Sequence, residues 1–535
     1  MKTRELINLG VPKGAAIKAA QIAAGLASDA GLSTPEIRAR LREVLAAPHG
    51  FVADSVFGPL ARALVPGHGP HSTHTAEAGR FIPRETPAPW RQWGENLDAA
   101  SIEQMVNACQ LPVAVAGALM PDAHLGYGLP IGGVLAVDNA VIPYAVGVDI
   151  ACRMKMTVLD LPVSALKGQI DRLIGAIETE TRFGMGATFR QPNEHDVMDD
   201  PDWSCSPVTS QHQRKAWDQL GTSGSGNHFV EFGLLTLDRA DVGLEPGRYV
   251  ALLSHSGSRG VGAQVAAYYS RIAMDAHPEL PKHLKHLAWL DLDSHAGQEY
   301  WQAMHLMGRY AAANHAVIHR RIAKHLGADV LLDVENHHNF AWEAERGGVR
   351  SEPSATREGV RGEPPATSSA TSTVRGGFDP ASCFDALCKV PDASNPLVAG
   401  GSPLSPSSAS RRIIIHRKGA TPAGRGVLGI IPGSMASPGY LVRGRGNAAS
   451  LYSASHGAGR AMSRTAARNQ CSWSEAKRLL RERDVHLISA GLDEAPFAYK
   501  DIDEVMASQS DLVDVIARFD PRIVKMAPDG ERAED

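Results

Sequence analysis

The chain has 535 residues, of which 43% are hydrophobic and 21% are charged, and its formal net charge is −4. These values are typical of a globular protein, no apolar run approaches the ~18 residues that a membrane span needs, and the N-terminus lacks the apolar centre of a secretory signal. We therefore expect a cytoplasmic protein that does not enter a membrane. The six cysteines are too sparse for a disulfide framework, which leaves their thiols available as metal ligands.

Residues 1–89 predict an N-terminal helical extension followed by a linker. Alanine-rich sequence and the Ser-Thr-Pro-Glu start at Ser33 indicate two or three helices within residues 1–47. Residues 66–89 are rich in Gly, Pro, His and Thr, a composition typical of loops.

The following sequence predicts a catalytic domain that begins near Trp90 and is interrupted once. Short buried strands alternate with helical periodicity, so we expect the α+β class, with a mixed or antiparallel β core surrounded by helices and the site in glycine-rich loops at strand ends. The predicted strands are residues 113–120, 134–137, 413–415, 427–431 and 441–442, and the predicted helices include 264–276 and 300–326. The glycine-rich stretch 121–133 is expected to be a loop. The two parts of the domain are 90–342 and 411–528, and a tail follows at 529–535.

Residues 343–410 form the interruption. They are rich in Ser, Thr, Pro, Ala and Gly, and GVRSEPSAT recurs as GVRGEPPAT. Such a tract buries too little apolar surface to offset its chain entropy, so we expect a disordered insertion. Cys383 and Cys388 lie inside it without nearby histidines, and we expect no metal site there.

Positive charge is concentrated between residues 393 and 474, where there is no acidic residue and there are ten basic ones. A local excess of this kind attracts polyanions, so it predicts binding of nucleic acid or polyphosphate. The alternative is a solvated basic face. The ten are Arg411, Arg412, Arg417, Lys418, Arg425, Arg443, Arg445, Arg460, Arg464 and Arg468.

Five residues are candidate metal ligands. Asp149 precedes Cys152 by three residues, a spacing that can bring a carboxylate and a thiolate to one ion. Alone this pattern is weak, because a buried cysteine packs as a small hydrophobe. His228, His255 and His338 add imidazole groups, and the mixed set suits manganese, zinc or iron without choosing among them.

His456 stands among small residues in SHGAGR, ahead of two arginines. A neutral histidine can attack phosphorus and form a covalent intermediate when cations neutralise the phosphate oxygens. The alternative is a histidine that only hydrogen-bonds a phosphate. HRKGA at 416–420 and PGSM at 432–435 fit anion contact through cations and backbone amides, whereas the sequence has no Walker A loop.

An ordered series of motifs resembles the RtcB family of RNA-splicing ligases, from about residue 95 to residue 525. The series is PDAHLGYGLPIGG, GVDIAC, GTSGSGNHFVEF, HSGSRGVG, HHNFAW, HRKGATPA, IPGSMASPGYLVRG, SHGAGRAMSRTAA, YKDIDEV and PRIVK. Each motif is moderately specific, and their order carries the resemblance.

The resemblance implies a GTP- and manganese-dependent ligase that joins RNA 2′,3′-cyclic phosphate or 3′-phosphate ends to 5′-hydroxyl ends, in tRNA splicing or RNA repair. It implies that Asp149, Cys152 and His228 bind one manganese ion, that Cys152, His255 and His338 bind a second, and that His456 carries GMP. The implied nucleotide-binding residues are Asn227, Glu231, Asn339, Ser434, His456, Gly457, Ala458, Gly459 and Lys525. Glu231 and Lys525 are the ones implied to recognise guanine. Expected partners are RNA, tRNA included, and an archease-type activator, and we expect a monomer.

Two residues beside Cys152 depart from the family, which usually has a glycine on each side of this cysteine. Ala151 is expected to be tolerated only at negative φ. Arg153 would place a cation beside the thiolate, where it would bind RNA phosphate or weaken metal binding. These departures indicate a divergent member.

Three other functions remain open. A metal-dependent cyclic phosphodiesterase or phosphoesterase, acting on RNA ends without ligation, would need the metal ligands but not His456. An inactive RNA-binding homologue would need neither. A guanylylation-dependent activity on DNA ends is also open, because nothing in the sequence reads a 2′-hydroxyl. The presence of every ligand type together with His456 favours the ligase.

Overall fold

The computed structural model describes residues 3–12, 15–29, 32–51, 54, 56–64, 81–345, 348–349 and 412–531. The chain divides into two compact units, residues 1–78 and 79–535. Most of the predicted insertion, including Cys383 and Cys388, lies outside the described residues. Within the described part, no helix is both long enough and apolar enough to span a membrane.

The first unit is helical. Its helices are α1 (Thr3–Asn8), α2 (Ala15–Asp29), α3 (Thr34–Ala46) and α4 (Gly58–Leu64), with a 3₁₀ helix at Pro48–Phe51. Helix α3 begins as predicted, because Ser33 and Glu36 form a capping box in which the Ser33 N–H donates to Glu36 Oε2 at 2.8 Å. Leu6, Leu41 and Leu60 are fully buried in its small core.

The second unit combines helices and strands. Its helices are α5 (Ala99–Cys109), α6 (Pro143–Val146), α7 (Ala165–Gly168), α8 (Ile170–Glu180), α9 (Pro207–Gln219), α10 (Arg259–Ala276), α11 (His295–Leu326), α12 (Arg464–Gln470), α13 (Trp473–Glu482) and α14 (Ile502–Ala507). Its strands are β1 (Trp90–Gln92), β2 (Ala114–His124), β3 (Ile131–Asp138), β4 (Ala140–Val141), β5 (Arg153–Leu159), β6 (Phe229–Leu237), β7 (Gly247–Ser256), β8 (Leu290–Asp291), β9 (Val330–His337), β10 (Asn339–Glu345), β11 (Gly348–Val349), β12 (Ile413–Lys418), β13 (Ala420–Pro422), β14 (Leu428–Ile431), β15 (Gly439–Gly444), β16 (Ser453–Ser455), β17 (His486–Ser489) and β18 (Val513–Met526). Short 3₁₀ helices lie at Asp196–Asp199, Pro201–Ser204, Lys282–Leu287, Ala448–Ser450, Leu492–Glu494 and Pro496–Ala498.

One sheet has six strands in the order β1-β2-β3-β12-β10-β11, with β1 parallel to β2 and the other pairs antiparallel. Strand β2 is longer than predicted, because its pairing with β3 resumes after an irregularity and places His124 opposite Ile131. The prediction of a loop is therefore wrong for residues 121–124 and 131–133, which are strand residues. The loop itself is residues 125–130.

The second sheet has eight strands, in the order β14-β15-β18-β6-β7-β5-β9, with β17 parallel to β18. The edge strands β14 and β9 approach each other, since the Ile430 N–H of β14 donates to Asn336 Oδ1 of β9 at 2.9 Å. The sheet therefore nearly closes on itself. The apolar side of α11 packs on this sheet, with Ile318 and Ile322 among its buried residues. The predicted α+β class, with a β core surrounded by helices, is confirmed. Two-stranded pairs β4-β8 and β13-β16 complete the unit.

Candidate active site

Strand ends and loops of both sheets line one cavity of about 1450 Å³. Most of the residues predicted for the site line it. They are Asp149, Cys152, Asn227, Glu231, His255, His338, Asn339, Ser434, His456, Gly457, Ala458 and Gly459. The structure therefore brings together residues that are spread over more than 300 positions of the sequence.

Four neighbouring strands deliver the candidate metal ligands to one end of the eight-stranded sheet. Cys152 directly precedes β5, and His228 directly precedes β6. His255 lies on β7 between these strands, opposite Met154 on one side and Phe229 on the other. His338 follows β9, at the point where the chain passes into β10 of the other sheet. Because neighbouring strands in this order are antiparallel, residues that are far apart in the sequence become adjacent candidate ligands.

The ligand atoms form a continuous chain of short contacts. Cys152 Sγ lies 3.0 Å from His255 Nε2 and 3.5 Å from His228 Nε2, and these three atoms could hold one ion. His228 Nε2 lies 3.0 Å from Asp149 Oδ2, and His255 Nε2 lies 3.1 Å from His338 Nε2. Cys152 is thus central, with an Asp–His pair on one side and a His–His pair on the other.

A metal ion fits this donor set. Nδ1 of His255 lies 3.0 Å from the Asn227 carbonyl, to which it donates, so that Nε2 directs a lone pair at Cys152 Sγ. Burial lowers the pKa of His255 to about 3 and holds that of His338 well below its usual value, so both rings are neutral. Two neutral rings that face each other through Nε2 atoms are held together most favourably by a cation that accepts both lone pairs. A nitrogen, sulfur and carboxylate set of this kind suits a divalent transition metal.

Two glycines let other groups approach the candidate ligands. A Cβ on Gly257 would lie 2.1 Å from Asp149 Oδ1, so a side chain there would displace the carboxylate. At Gly224, where φ is +109°, a Cβ would lie 2.2 Å from Nη1 of the buried Arg259. That Nη1 lies 3.4 Å from His228 Nδ1, so the guanidinium supports the imidazole from behind. These positions explain part of the glycine content of the motifs.

Ala151 contradicts the expectation of a negative φ. Its φ is +58°, in the left-handed region, while its N–H donates to the Asn339 carbonyl at 2.7 Å. That hydrogen bond and the close approach of two strands to the site fix the backbone in a conformation that suits glycine better than alanine.

Replacing Ala151 by glycine is expected to stabilise the protein by about 1 kcal/mol, because glycine adopts this φ without the Cβ penalty. The midpoint of thermal unfolding measured by calorimetry should rise. Ala312→Gly, inside α11, is the matched control and should lower the midpoint, since glycine weakens a helix interior by about 1 kcal/mol. A fall for both variants would contradict this account.

Arg153 does not lie beside the thiolate, so that expectation is wrong. It is the first residue of β5, and the pleat of the strand directs it to the opposite side from Met154. The guanidinium is buried, donates to the Gly308 carbonyl of α11 at 3.1 Å and lies 3.4 Å from Glu335 Oε1. Arg153 therefore joins the helix to the back of the sheet and is not available to RNA phosphate.

His456 is held by a buried carboxylate that the sequence analysis did not single out. Its Nδ1 lies 2.7 Å from Asp122 Oδ2, which also accepts the His456 backbone N–H at 3.1 Å. Burial alone would raise the pKa of Asp122, but the hydrogen bond and charge of His456 and the charge of Lys500 lower it, so the group is a carboxylate. Nδ1 carries the shared proton, which leaves Nε2 with a free lone pair. The signal in the sequence was an acidic residue inside an otherwise apolar strand.

Glu231 and Lys525 are separated by the pleat of paired strands. Glu231 lines the cavity, where burial holds the pKa of its carboxyl well above the usual value. It pairs with Val524 in the sheet, so the next residue, Lys525, projects from the other side. Lys525 Nζ lies 3.5 Å from Glu178 Oε1 and above the ring of Phe183, and does not line the cavity. The predicted pairing of Glu231 and Lys525 on one ligand is therefore wrong.

Six of the ten basic residues between residues 393 and 474 pair with carboxylates from other segments, which reduces the local excess of charge, while Lys418, Arg460 and Arg464 line the cavity. The ion pairs are Arg412–Glu343, Arg443–Asp241, Arg445–Asp514, Arg460–Glu494, Arg464–Asp493 and Arg468–Asp493. The acidic partners lie outside the segment, so its composition did not reveal them.

Within HRKGA, only Lys418 contributes its side chain to the cavity wall. His416 is buried and accepts the Ile142 N–H at Nε2, and Arg417 is buried and donates to Ser453 Oγ at 2.7 Å. The prediction that this motif contacts an anion is therefore wrong for His416 and Arg417, which serve the core. Burial lowers the pKa of Lys418 to about 7.

Comparison with known proteins identifies relatives across most of the chain. The family model described as tRNA-splicing ligase RtcB matches residues 104–204, 193–361 and 405–526. The RNA-splicing ligase RtcB of Escherichia coli K12 is 30% identical over 460 residues, covering 80% of this chain and 95% of that protein. The tRNA-splicing ligase RtcB of Thermococcus kodakarensis is 27% identical over 483 residues, covering 79% of this chain and 90% of that protein.

Proposed function

The chain belongs to the RtcB family, and we propose that it is a GTP- and manganese-dependent RNA ligase. It joins 2′,3′-cyclic phosphate or 3′-phosphate ends to 5′-hydroxyl ends, in tRNA splicing or RNA repair. The names of its relatives support RNA ligation. The observation that carries the mechanism is the position of His456, whose ring centroid lies 4.9 Å from that of the candidate ligand His338 in one cavity.

Two manganese ions would share the thiolate of Cys152. One would be held with Asp149 and His228, and the other with His255 and His338. Bound there, the ions neutralise phosphate oxygens and align attacking and leaving groups. The protein contributes the imidazoles, the thiolate and the buried carboxylate that such ions require.

His456 is proposed to act as the nucleophile. Its Nε2 lone pair attacks the α-phosphorus of GTP, an N–P bond forms, and the bond to pyrophosphate breaks. Asp122 keeps the Nδ1 proton in place and balances the positive charge that develops on the ring. GMP then passes from His456 to the RNA 3′-phosphate, the 5′-hydroxyl attacks that activated phosphorus, and GMP leaves. A cyclic end is first hydrolysed to the 3′-phosphate.

Guanine recognition is assigned to Glu231. Its carboxyl lines the cavity and has no hydrogen-bond partner among the described residues. Guanine offers two neighbouring donors, the N1 hydrogen and the 2-amino group, and hydrogen bonds from both would favour the ionised form of the Glu231 carboxyl that burial alone disfavours. Asn227, Asn339, Ser434 and the backbone of Gly457, Ala458 and Gly459 are proposed to contact the remainder of the nucleotide.

The variant Asp122→Asn tests whether the Asp122 carboxylate supports His456 as the nucleophile. The amide keeps the size of the side chain but cannot hold the Nδ1 proton as a carboxylate does, so we expect the rate of GMP attachment to fall about 100-fold or more. The rate is followed with GTP labelled in the α-phosphate. Manganese affinity, measured on the same sample, should be unchanged because Asp122 is not a proposed ligand. An unchanged attachment rate would contradict the role of Asp122.

A metal-dependent cyclic phosphodiesterase without ligase activity is the second candidate, favoured by the ligand set alone. A two-strand assay separates the two functions. RNA with a 2′,3′-cyclic phosphate is mixed with a 5′-hydroxyl RNA and manganese, with and without GTP. The ligase gives a longer product only with GTP, whereas the phosphodiesterase opens the cyclic end and never joins the strands. An inactive RNA-binding homologue changes neither strand.

A further inference from the structure

A loop at the wall of the active-site cavity presents an exposed aromatic ring. Residues 125–130 connect β2 to β3, and within them Tyr127 is 67% exposed and Leu125 is 58% exposed. Tyr127 lines the same cavity as His456. Neighbouring apolar side chains that stay exposed beside a groove mark a candidate ligand-binding surface.

The exposure of Tyr127 is not the result of a loosely held loop. Gln104 of α5 exchanges two hydrogen bonds with Gly126, accepting its N–H at 3.0 Å and donating to its carbonyl at 2.6 Å. Lys418 Nζ donates to the Tyr127 carbonyl. Gly128, with φ +73°, packs so closely on the 3₁₀ helix Lys282–Leu287 that a Cβ would lie 2.8 Å from the His286 carbonyl oxygen. Contacts from three elements therefore fix the loop before any ligand binds.

The ring of Tyr127 retains an accessible face. Its one ring contact within the described part of the chain is with His286, edge to face, at 5.7 Å between centroids and 69° between planes. Tyr144 packs on the same imidazole at 4.4 Å and 66°. A single edge-to-face partner covers at most one face of an aromatic ring, so a planar ligand can stack on the other.

Cations accompany the ring. The cavity is lined by Arg460, Arg464, Lys418 and Lys500, and Lys418 contacts the tyrosine's own carbonyl. An aromatic ring on a cationic cavity wall is the combination by which proteins hold single-stranded nucleic acid, because a base stacks on the ring while its phosphates meet the cations. Guanine of GTP is assigned to Glu231 on the other sheet, which leaves Tyr127 to the RNA.

We propose that Tyr127 is a stacking platform for an unpaired base of the RNA strand whose end enters the cavity at His456. This rests on the proposed ligase function and extends it, since it makes the substrate of the site an RNA end that is single-stranded near the junction. Tyr127 contributes through its ring and not through its hydroxyl.

Ligation kinetics of three variants test the platform. Tyr127→Ala should raise the KM for RNA about tenfold, the usual effect of losing one stacked base, while Tyr127→Phe should retain the wild-type KM. Phe497→Ala removes an equally apolar exposed ring that does not line the cavity and is the matched control, with no expected change. Equal KM values for Tyr127→Ala and wild type would overturn the proposal.

A second arm identifies the base and does not depend on ligation. Binding of unreactive single-stranded RNA is measured by fluorescence anisotropy, with abasic sites placed in turn at the terminal three nucleotides. One abasic site should weaken wild-type binding about tenfold and have no further effect on Tyr127→Ala. The proposal would be overturned if the abasic site and Tyr127→Ala each weakened binding independently and their losses of affinity added. It would also be overturned if Tyr127→Ala lost as much affinity for blunt duplex RNA as for single-stranded RNA. If the wild type forms no GMP adduct, the ligase function fails while this binding result still decides the platform.

Discussion

Replacing His456 by alanine is expected to abolish covalent attachment of GMP. The wild type incubated with manganese and GTP labelled in the α-phosphate should retain label through denaturation, and His456→Ala should retain at least about 1000-fold less, because the variant lacks the proposed attacking lone pair. His295→Ala, which removes a histidine that is 82% exposed on α11, should label as the wild type does.

The outcome distinguishes a His456 that acts as the nucleophile from a His456 that only binds phosphate. A His456 that only hydrogen-bonds phosphate would leave label on the alanine variant at a reduced rate, attached to another residue. Label at the wild-type level on His456→Ala would contradict the proposed mechanism outright. An acid-labile, base-stable adduct on the wild type would identify the bond as nitrogen to phosphorus.

Removing the thiolate at the centre of the ligand set should have the largest effect on metal binding. Cys152 Sγ lies within 3.5 Å of both His228 Nε2 and His255 Nε2, so Cys152→Ala takes one ligand from each of the two proposed ions. We expect manganese affinity to fall about 100-fold or more, measured by the free Mn²⁺ signal in electron paramagnetic resonance. Unchanged affinity and stoichiometry would show that the cluster is not the metal site.

Cys471→Ala is the control for loss of a thiol, since Cys471 is half-exposed and is not one of the proposed ligands. It should bind manganese as the wild type does. Because alanine fits the buried position of Cys152, the circular dichroism spectrum of Cys152→Ala should match that of the wild type. The affinity loss can then be attributed to the ligand and not to unfolding.

The structure brings the candidate ligands predicted from the sequence close together, for a physical reason. Asp149, Cys152 and the three histidines are polar residues set among glycines at the ends of apolar strands, a combination that packing alone does not explain. Strand and helix segments were found for similar reasons, since burial imposes periods of two and 3.6 residues. What such patterns cannot show is which distant segment supplies a partner.

The predictions that failed depended on such partners or on side-chain direction. His456 and Asp122 are 334 positions apart, so their contact is invisible in either motif. The directions of Arg153 and Lys525 follow from the phase of β5 and β18, and a one-residue change of phase exchanges the two faces of a strand. The left-handed conformation of Ala151 comes from strands converging on the site, which no local sequence pattern encodes.

The most direct test of the ligase is the fate of the 3′-terminal phosphate. RNA is labelled only in that phosphate and incubated with a 5′-hydroxyl RNA, GTP and manganese, and the product is treated with phosphatase. The account predicts that the label becomes the internal phosphodiester of a longer, phosphatase-resistant RNA in the wild type and not in His456→Ala. Label that stays at a strand end open to phosphatase, with no longer product, would contradict it.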